Sequence, residues 1–486
     1  MRHLMIATLF AVTAAGCIAG EPGPFDPEDG ADDTIVSGAD GKDDSATCKT
    51  KSVAAYALGG TLILPSGPTS GYVLIQDERI VSIWPSKELL PPGTRVVETG
   101  GVIAPGLVDL HNHVNYDFIP LWNAGRRWQN RYQWARAAAY GPAVKTPYNA
   151  VKNSKDMCES GKYGELRALI GGTTTVQGMS SQLSCTNGWV RNVEFTNFCA
   201  DHVRQNVLPI STITPGDAAK LNAQYTSGQT RAFFVHLAEG IDDSSRAEFD
   251  QLRTLGLVKP QTVAIHATAL NPAQLTEMGQ AGMKIVWSPL SNLLLYGKTT
   301  DIPTALANHI PVALAPDWRP SGSSNLLGEL KVADRVNREK FGGVISDAQL
   351  VAMATSVPAS IAGLGDKIGT IAPGMYADLL VVRAQPGATA YRSVIDASPA
   401  DVLLTTISGQ ALFGDPTIVG GVAQPLSYTQ VDACGTPRQL AVVDATLTSG
   451  AETLDQITST FTGDGVGTVE PLFNCNAQPD IDLAFR

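Results

Sequence analysis

Between residues 52 and 103 short apolar runs alternate with turn residues: 54–58, 61–64, 72–76 and 79–84 are separated by Gly, Pro and Asp. Runs of this length, bounded in this way, predict the strands of a small β-structure. Pro105-Gly106 then turns the chain into an apolar stretch ending in His111-Asn-His113, and a polar, aromatic loop follows over 115–132. From there the pattern changes. Seven further strand-like runs, at 173–177, 190–194, 207–211, 233–237, 262–266, 284–287 and 312–315, are mostly separated by helical patterns such as 245–255 and 271–281. Strands alternating with helices predict a parallel sheet, and eight of them over about 260 residues predict a closed (β/α)8 (TIM) barrel over 106–368. Residues 347–364 read as helix, and 369–382 return to strands that complete the N-terminal β-structure. The expected fold class is α/β: the barrel, plus a small composite β-sandwich built from its two flanks, 48–105 and 369–414. An extension, 415–486, carries a helix at 451–459 and reads as a cap pinned by disulfides.

Composition narrows the function classes. The chain has 486 residues, 44% of them hydrophobic, enough for a large core. Its net charge of −11 is concentrated: nine acidic residues between Glu21 and Asp44 face only Lys42, and the rest is nearly balanced. No basic stripe points to nucleic acid, and no polybasic run points to an anionic membrane surface. Residues 1–17 read as an export signal, with Arg2 ahead of a short apolar core. Ala14-Ala-Gly-Cys17 resembles a bacterial lipobox, although that pattern prefers Leu where Ala14 stands. The expected location is the bacterial cell envelope, as a lipoprotein held through Cys17 in the periplasm or outer membrane; a soluble secreted form is the alternative. Residues 18–47, rich in Asp, Gly, Pro and Ser, read as a disordered tether. Beyond it, Cys48, Cys158, Cys185, Cys199, Cys434 and Cys475 allow three disulfides in an exported chain, with 15 pairings open.

The barrel reading requires chemistry at the carboxyl ends of strands, and four of the seven histidines fall there. His111 and His113, one residue apart on a strand, share a face and form half of a metal site. His236 ends the run at 233, with Glu239 three residues later; His266 ends the next, and Asp317 follows the last. Three neutral imidazoles and a carboxylate leave a metal position open for water, whose pKa zinc lowers from 15.7 to about 7. A nearby carboxyl group is then needed to take the water proton and deliver it to a leaving nitrogen. Glu239 is the candidate, with an ordinary helix-start carboxylate as the competing reading. Asp109 shares a face with His111 and either orients a ligand imidazole or is a paired interior carboxylate. Trp122, Arg126, Arg127, Trp128, Arg131 and Trp134 either roof the pocket, stacking on a flat or cationic substrate, or pack the barrel's outside.

Pro105-Gly-Leu-Val-Asp-Leu-His-Asn-His113, Gly171-Gly-Thr-Thr-Thr-Val176, His236-Leu-Ala-Glu239, His266, Ser288-Pro-Leu-Ser-Asn292, Asp317 and the stretch 369–382 together resemble the metal-dependent amidohydrolase superfamily. The likeness is to the branch of cytosine deaminase, adenosylhomocysteine deaminase and chlorotriazine hydrolase, and it spans roughly residues 52–415. It implies that His111, His113, His236 and Asp317 bind one divalent metal, zinc by preference or iron. It further implies that Glu239 moves a proton and that His266 steadies the attacking water or the substrate. Trp122, Ser288 and Asn292 are the expected substrate contacts, and the catalytic set is Glu239, His266 and Asp317. The chain departs from the pattern at Ser288, where Cys is usual, and at Ala315-Pro316, where Gly-Thr is usual. The segment 207–211 holds no lysine to bridge a second ion, so one metal is expected.

The resulting expectation is a hydrolase of non-peptide C–N bonds that deaminates a ring-bound amine on a small-molecule substrate. An amide or cyclic-amide hydrolase of the same superfamily is the alternative, as is a barrel that binds without catalysis. No nucleic-acid partner is expected, and a homo-oligomer is compatible with the sequence.

Overall fold

The computed structural model describes residues 52–178, 189–193, 202–206, 208–442 and 453–486. The expected export signal, Cys17, the acidic tether and Cys48, Cys185 and Cys199 lie outside the described residues. No described helix is long and apolar enough to cross a membrane.

The fold is mixed α/β. Its largest sheet has nine strands in the order β16-β17-β15-β14-β13-β4-β1-β2-β3. These are β1 (Tyr56–Leu64), β2 (Gly67–Gln76), β3 (Arg79–Trp84), β4 (Arg95–Pro105), β13 (Leu379–Arg383), β14 (Val402–Ile407), β15 (Gln410–Gly414), β16 (Ser427–Asp432) and β17 (Pro437–Val442). The two flanks therefore meet in one hydrogen-bonded sheet, because β13 pairs antiparallel with β4 from Leu379↔Pro105 to Arg383↔Gly101. The runs read as 54–58 and 61–64 are a single strand, with a register shift between Gly59 and Thr61 against β4. The glycines between them serve close approach: a Cβ on Gly60 would sit 2.7 Å from the Gly101 carbonyl.

Among the described residues eight further strands form two parallel sheets, ordered β5-β6-β7 and β8-β9-β10-β11-β12. They are β5 (Leu107–Asp109), β6 (Thr173–Val176), β7 (Arg191–Asn192), β8 (Val203–Asn206), β9 (Ala232–Leu237), β10 (Thr262–His266), β11 (Lys284–Trp287) and β12 (Val312–Leu314). The middle strands are apolar on both faces and almost wholly buried, as strands of parallel sheets covered on both sides must be. A parallel bridge, Asn112↔Asp317, joins the chain beyond β5 to the chain beyond β12. Beneath these ends Val108, Val203, Phe234, Val263, Val286 and Ala313 form one apolar cluster.

The expected strand at 207–211 is misplaced. The strand is the more polar Val203–Asn206, paired with β9, and Ile210–Thr212 is a 3-10 turn behind Pro209, which has no N–H to give a ladder. Backbone pairing, not apolar patterning, makes this strand: Asn206 is buried, and Gln205 accepts a 2.6 Å bond from Gln177. It contains no lysine either. The helix expected over 347–364 is two, Asp347–Ala352 and Ser356–Ile361, broken at Thr355 (φ −133°, ψ −89°).

The extension is more than a cap. It contributes β16 and β17 to the large sheet, a helix Leu454–Gly463 that packs on the helix Met157–Ile170, and a helix Gln478–Ala484 that packs on the helix Pro289–Tyr296. Phe461 stacks on Phe118 at 4.8 Å, and a disulfide ties Cys434, at the β16–β17 turn, to Cys475. Cys158 is disulfide-bonded too. With a separation of 41 residues, the Cys434–Cys475 link removes chain entropy from the unfolded state. Cys434→Ser should therefore lower the unfolding free energy by about 2–4 kcal/mol in non-reducing urea titration; an unchanged midpoint and slope would show that packing alone holds the segment.

Candidate metal centre

The Pro105-Gly106 corner is set by contact. The Gly106 N–H donates to the Asp378 carbonyl at 2.8 Å, and a Cβ on Gly106 would meet Thr174 at 2.3 Å. The chain then runs through β5 to His111 and His113, where the backbone bonds sideways to the loop after β12. The His113 N–H donates to the Asp317 carbonyl at 2.9 Å, and the Asp317 N–H donates to the His111 carbonyl at 3.1 Å. Asp109 does not touch an imidazole. Its carboxylate accepts the His111 N–H at 3.1 Å and the Asn112 side-chain amide at 3.0 Å, so it shapes the backbone that presents the histidines.

His111, His113, His236, His266 and Asp317 converge. Their potential ligand atoms fall into two groups that share His111: His111, His113 and Asp317, and His111, His236 and His266, with the atoms of each group within 4.8 Å of one another. His236 ends β9 beside β10, where His266 stands opposite Leu237. His266 and Asp317 sit at φ +66° and +74°, left-handed values that cost a non-glycine residue roughly 1–3 kcal/mol and here turn two strand ends into one cluster. His266 thus belongs to the same cluster as His111 and His236.

The donor set suits a divalent cation. Burial drives the imidazoles toward neutrality: His111 and His113 are pushed down to about 3, His236 lies well below the usual histidine range, and His266 is lowered. Neutral imidazole is the ligating form. The His111 Nε2 lies 2.8 Å from Asp317 Oδ1 without forming a hydrogen bond of acceptable geometry, two electron-rich atoms facing each other as metal ligands do. The second carboxylate oxygen of Asp317 is engaged elsewhere, accepting from Ser291 Oγ at 2.6 Å. The His266 Nδ1 donates to Asn292 Oδ1 at 3.1 Å, which leaves Nε2 with its lone pair toward the centre.

Glu239 lies in the loop after β9, ahead of the helix Asp243–Thr254, whose cap is Asp242, so it is not a helix-start carboxylate. It is buried, which alone would raise its pKa. The neighbouring Arg131 guanidinium and a bond from Tyr296 favour the anion, and its pKa is held below the usual range. Tyr296 donates to Oε1 at 2.6 Å and is itself fixed by Trp134 Nε1 at 2.8 Å. Oε2 accepts no hydrogen bond; it lies 3.5 Å from Arg131 and 3.7 Å from His266 Nε2. An ionised oxygen is left available to accept a proton.

The expected substrate contacts fare differently. Asn292 is buried and bonded to His266 and Thr300, so it orients an imidazole. Ser288 is buried at the start of the helix Pro289–Tyr296, and its Oγ makes no hydrogen bond. Trp122 packs on Trp128 and Tyr140 at 5.3 and 5.5 Å, a layer removed from the histidines. The aromatic ring at the centre is Trp318, 5.9 Å from His113 and 5.3 Å from Tyr116. Of the loop's arginines, Arg126 and Arg127 stay at the surface while Arg131 turns inward. Tyr296, Ser291 and Trp318 had escaped the sequence reading. One signal for the first existed: Asn292 and Tyr296 are four apart on one helix, hence on one face, and reach His266 and Glu239 respectively.

Residues 214–412 match the amidohydrolase family. Over 370 residues the chain is 25% identical to 5-methylthioadenosine/S-adenosylhomocysteine deaminase from Teredinibacter turnerae, an alignment covering 67% of this chain and 84% of that protein. Two solved structures share its fold. One is an adenosine deaminase from Xanthomonas campestris with bound zinc (TM-score 0.58, 17% identity, 73% of this chain and 92% of that one). The other is a triazine hydrolase variant (TM-score 0.61, 15% identity, 84% and 99%).

The buried neutral histidines make a pH prediction for chelator-treated protein. Their folded pKa values lie below the unfolded 6.5, so the unfolded chain binds more protons as pH falls below 6.5. Metal-free stability should accordingly drop steadily from pH 6.5 toward about 3, read from urea midpoints. A flat profile over that window would contradict the buried cluster.

Proposed function

We propose that the chain, whose residues 214–412 match the amidohydrolase family, is a mononuclear metal hydrolase that deaminates a ring-bound amine. The observation carrying this reading is the buried Glu239 carboxylate, one oxygen of which accepts no hydrogen bond and lies 3.7 Å from His266 Nε2 in the imidazole cluster. A closed (β/α)8 barrel over 106–368 is part of the proposal, supported by eight parallel strands whose first and last are bridged through Asn112 and Asp317.

His111, His113, His236 and Asp317 would hold the ion, with His266 the further imidazole within reach. A bound divalent ion supplies Lewis acidity that makes water a competent nucleophile at neutral pH. The rest falls to the side chains. Glu239 Oε2 accepts the water proton and returns it to the leaving nitrogen, so that water and a ring amine become a ring carbonyl and ammonia; such proton transfer is worth about 10²–10⁴-fold. Tyr296 and Arg131 keep the carboxylate aimed and ionised. His266, with Nδ1 tied to Asn292, presents Nε2 as an acceptor that steadies the water. Trp318 and Tyr116 offer aromatic surface to a flat ring. The deaminase name of the relative supports the reaction class, and the zinc in the similar structure supports zinc as the ion. A binding protein without catalysis would have no use for the unengaged Glu239 oxygen at this spot.

Protein prepared without chelator should carry one ion per chain and release ammonia from some member of a panel of aminated purines, pyrimidines and triazines. Glu239→Gln should keep the ion and lose activity by about 10²-fold or more. Metal without ammonia from any compound would favour the amide or cyclic-amide hydrolase, and two tightly held ions would refute the single-metal site.

Export through residues 1–17, with lipid on Cys17 and 18–47 as tether, belongs to the same proposal. Mass analysis of the mature N-terminus from a bacterial host should find acylated Cys17; an intact Met1 would refute it.

A further inference from the structure

The segment beyond residue 453 lies past the family match, which ends at residue 412, yet it reaches the wall of the centre. Arg319, two residues after Asp317, is buried. Its Nε donates to Glu470 Oε1 at 2.7 Å, its Nη2 pairs with Asp480 at 3.0 Å and its Nη1 donates to the Gly322 carbonyl at 3.0 Å. Its backbone N–H donates to Asp117 Oδ1 at 3.0 Å. The guanidinium is thus the point where the C-terminal segment grips the loop after β12.

The grip is rigid on both sides. Glu470 is held by its own backbone: its N–H donates to the Phe118 carbonyl at 2.7 Å, its carbonyl accepts from the Tyr163 hydroxyl, and Arg167 bonds the next carbonyl, of Pro471, at 2.6 Å. On the other side the loop is a closed turn, with the Gly322 N–H on the Trp318 carbonyl at 2.7 Å and no room for a Cβ on Gly322, which would fall 1.7 Å from the Pro316 carbonyl. From this turn a chain of contacts leads to the metal-binding carboxylate: Trp318 Nε1 to Ser321 Oγ at 2.5 Å, Ser321 Oγ to Ser291 Oγ at 2.8 Å, and Ser291 Oγ to Asp317 Oδ2 at 2.6 Å.

We propose that Glu470 is a positioning residue, which through Arg319 fixes the turn that sets the aim of Asp317 and the place of Trp318. The C-terminal segment is on this account part of the active-site wall. The proposal rests on the reading of Asp317 as a metal ligand. Loss of a partner that orients a ligand typically weakens metal binding 10–100-fold.

The test uses full-length, zinc-loaded protein and follows zinc release to a chelating dye, which needs no substrate. Glu470→Ala should release zinc about 10–100-fold faster than the parent, and Glu470→Gln, which keeps the side-chain volume, should fall between. Arg335→Ala serves as control, because Arg335 pairs with Asp482 of the same segment at 2.7 Å without touching the turn. It should lower the unfolding midpoint and leave zinc release at the parental rate. Circular dichroism establishes which variants fold, and Glu470→Gln decides should Glu470→Ala not. Zinc release within twofold of the parent in a folded Glu470 variant would overturn the proposal and leave the metal-hydrolase reading intact, and equal acceleration in Arg335→Ala would reduce Glu470 to general stability. A parent chain that binds no zinc would instead refute the metal reading, and this proposal with it.

Discussion

Two backbone hydrogen bonds carry the structure's chemistry: His113 N–H to the Asp317 carbonyl, and Asp317 N–H to the His111 carbonyl. They join the end of the first parallel strand to the loop after the last. Side chains far apart in sequence, two imidazoles and a carboxylate, are thereby fixed within ligand distance of one another. A backbone bond is insensitive to side-chain rotamer, so the cluster inherits the precision of strand pairing. Asp109 reinforces it from below by capping the His111 N–H, and the left-handed backbone at Asp317 shows that the loop bends to satisfy the pairing.

Burial then decides the charge state. Four imidazoles packed together would repel one another if protonated, and desolvation keeps them neutral. Among them the same burial would neutralise a carboxylate, and Glu239 stays ionised beside the Arg131 guanidinium and the Tyr296 hydroxyl, which favour its anion. Neutral donors for the ion and an ionised acceptor for the proton are opposite requirements. The site meets both within a few ångströms by placing one guanidinium and one phenol beside one carboxylate.

The C-terminal segment follows the same logic. Arg319 and Arg167 are buried cations, costly without counter-charges, and Glu470 and Asp480 supply these from outside the strand framework. The segment's attachment is therefore electrostatic and directional where it meets the loop after β12, and apolar where Phe461 stacks on Phe118.

Much of this was legible in the residues themselves. Paired histidines at a strand end, His236 with Glu239 three residues on, His266 and Asp317 all follow from short-range pattern, since strand periodicity and strand termini are local properties. The family resemblance rested on the same local motifs. What pattern could not supply was anything fixed by contact between distant segments. The polar strand Val203–Asn206 exists because β9 lies beside it, and the flanking strands form one sheet because β13 pairs with β4. Asn292 belongs to His266, Tyr296 to Glu239 and Glu470 to Arg319 by tertiary approach alone. Trp122, conspicuous in the sequence, lies behind the aromatic layer that Trp318 presents to the centre. The sequence by itself determined which chemical groups stand at the strand ends, because that is written in a few consecutive residues. The tertiary structure decided which of those groups are neutral, which ionised and which merely support the others, because hydrogen-bond partners and burial are properties of the packed chain.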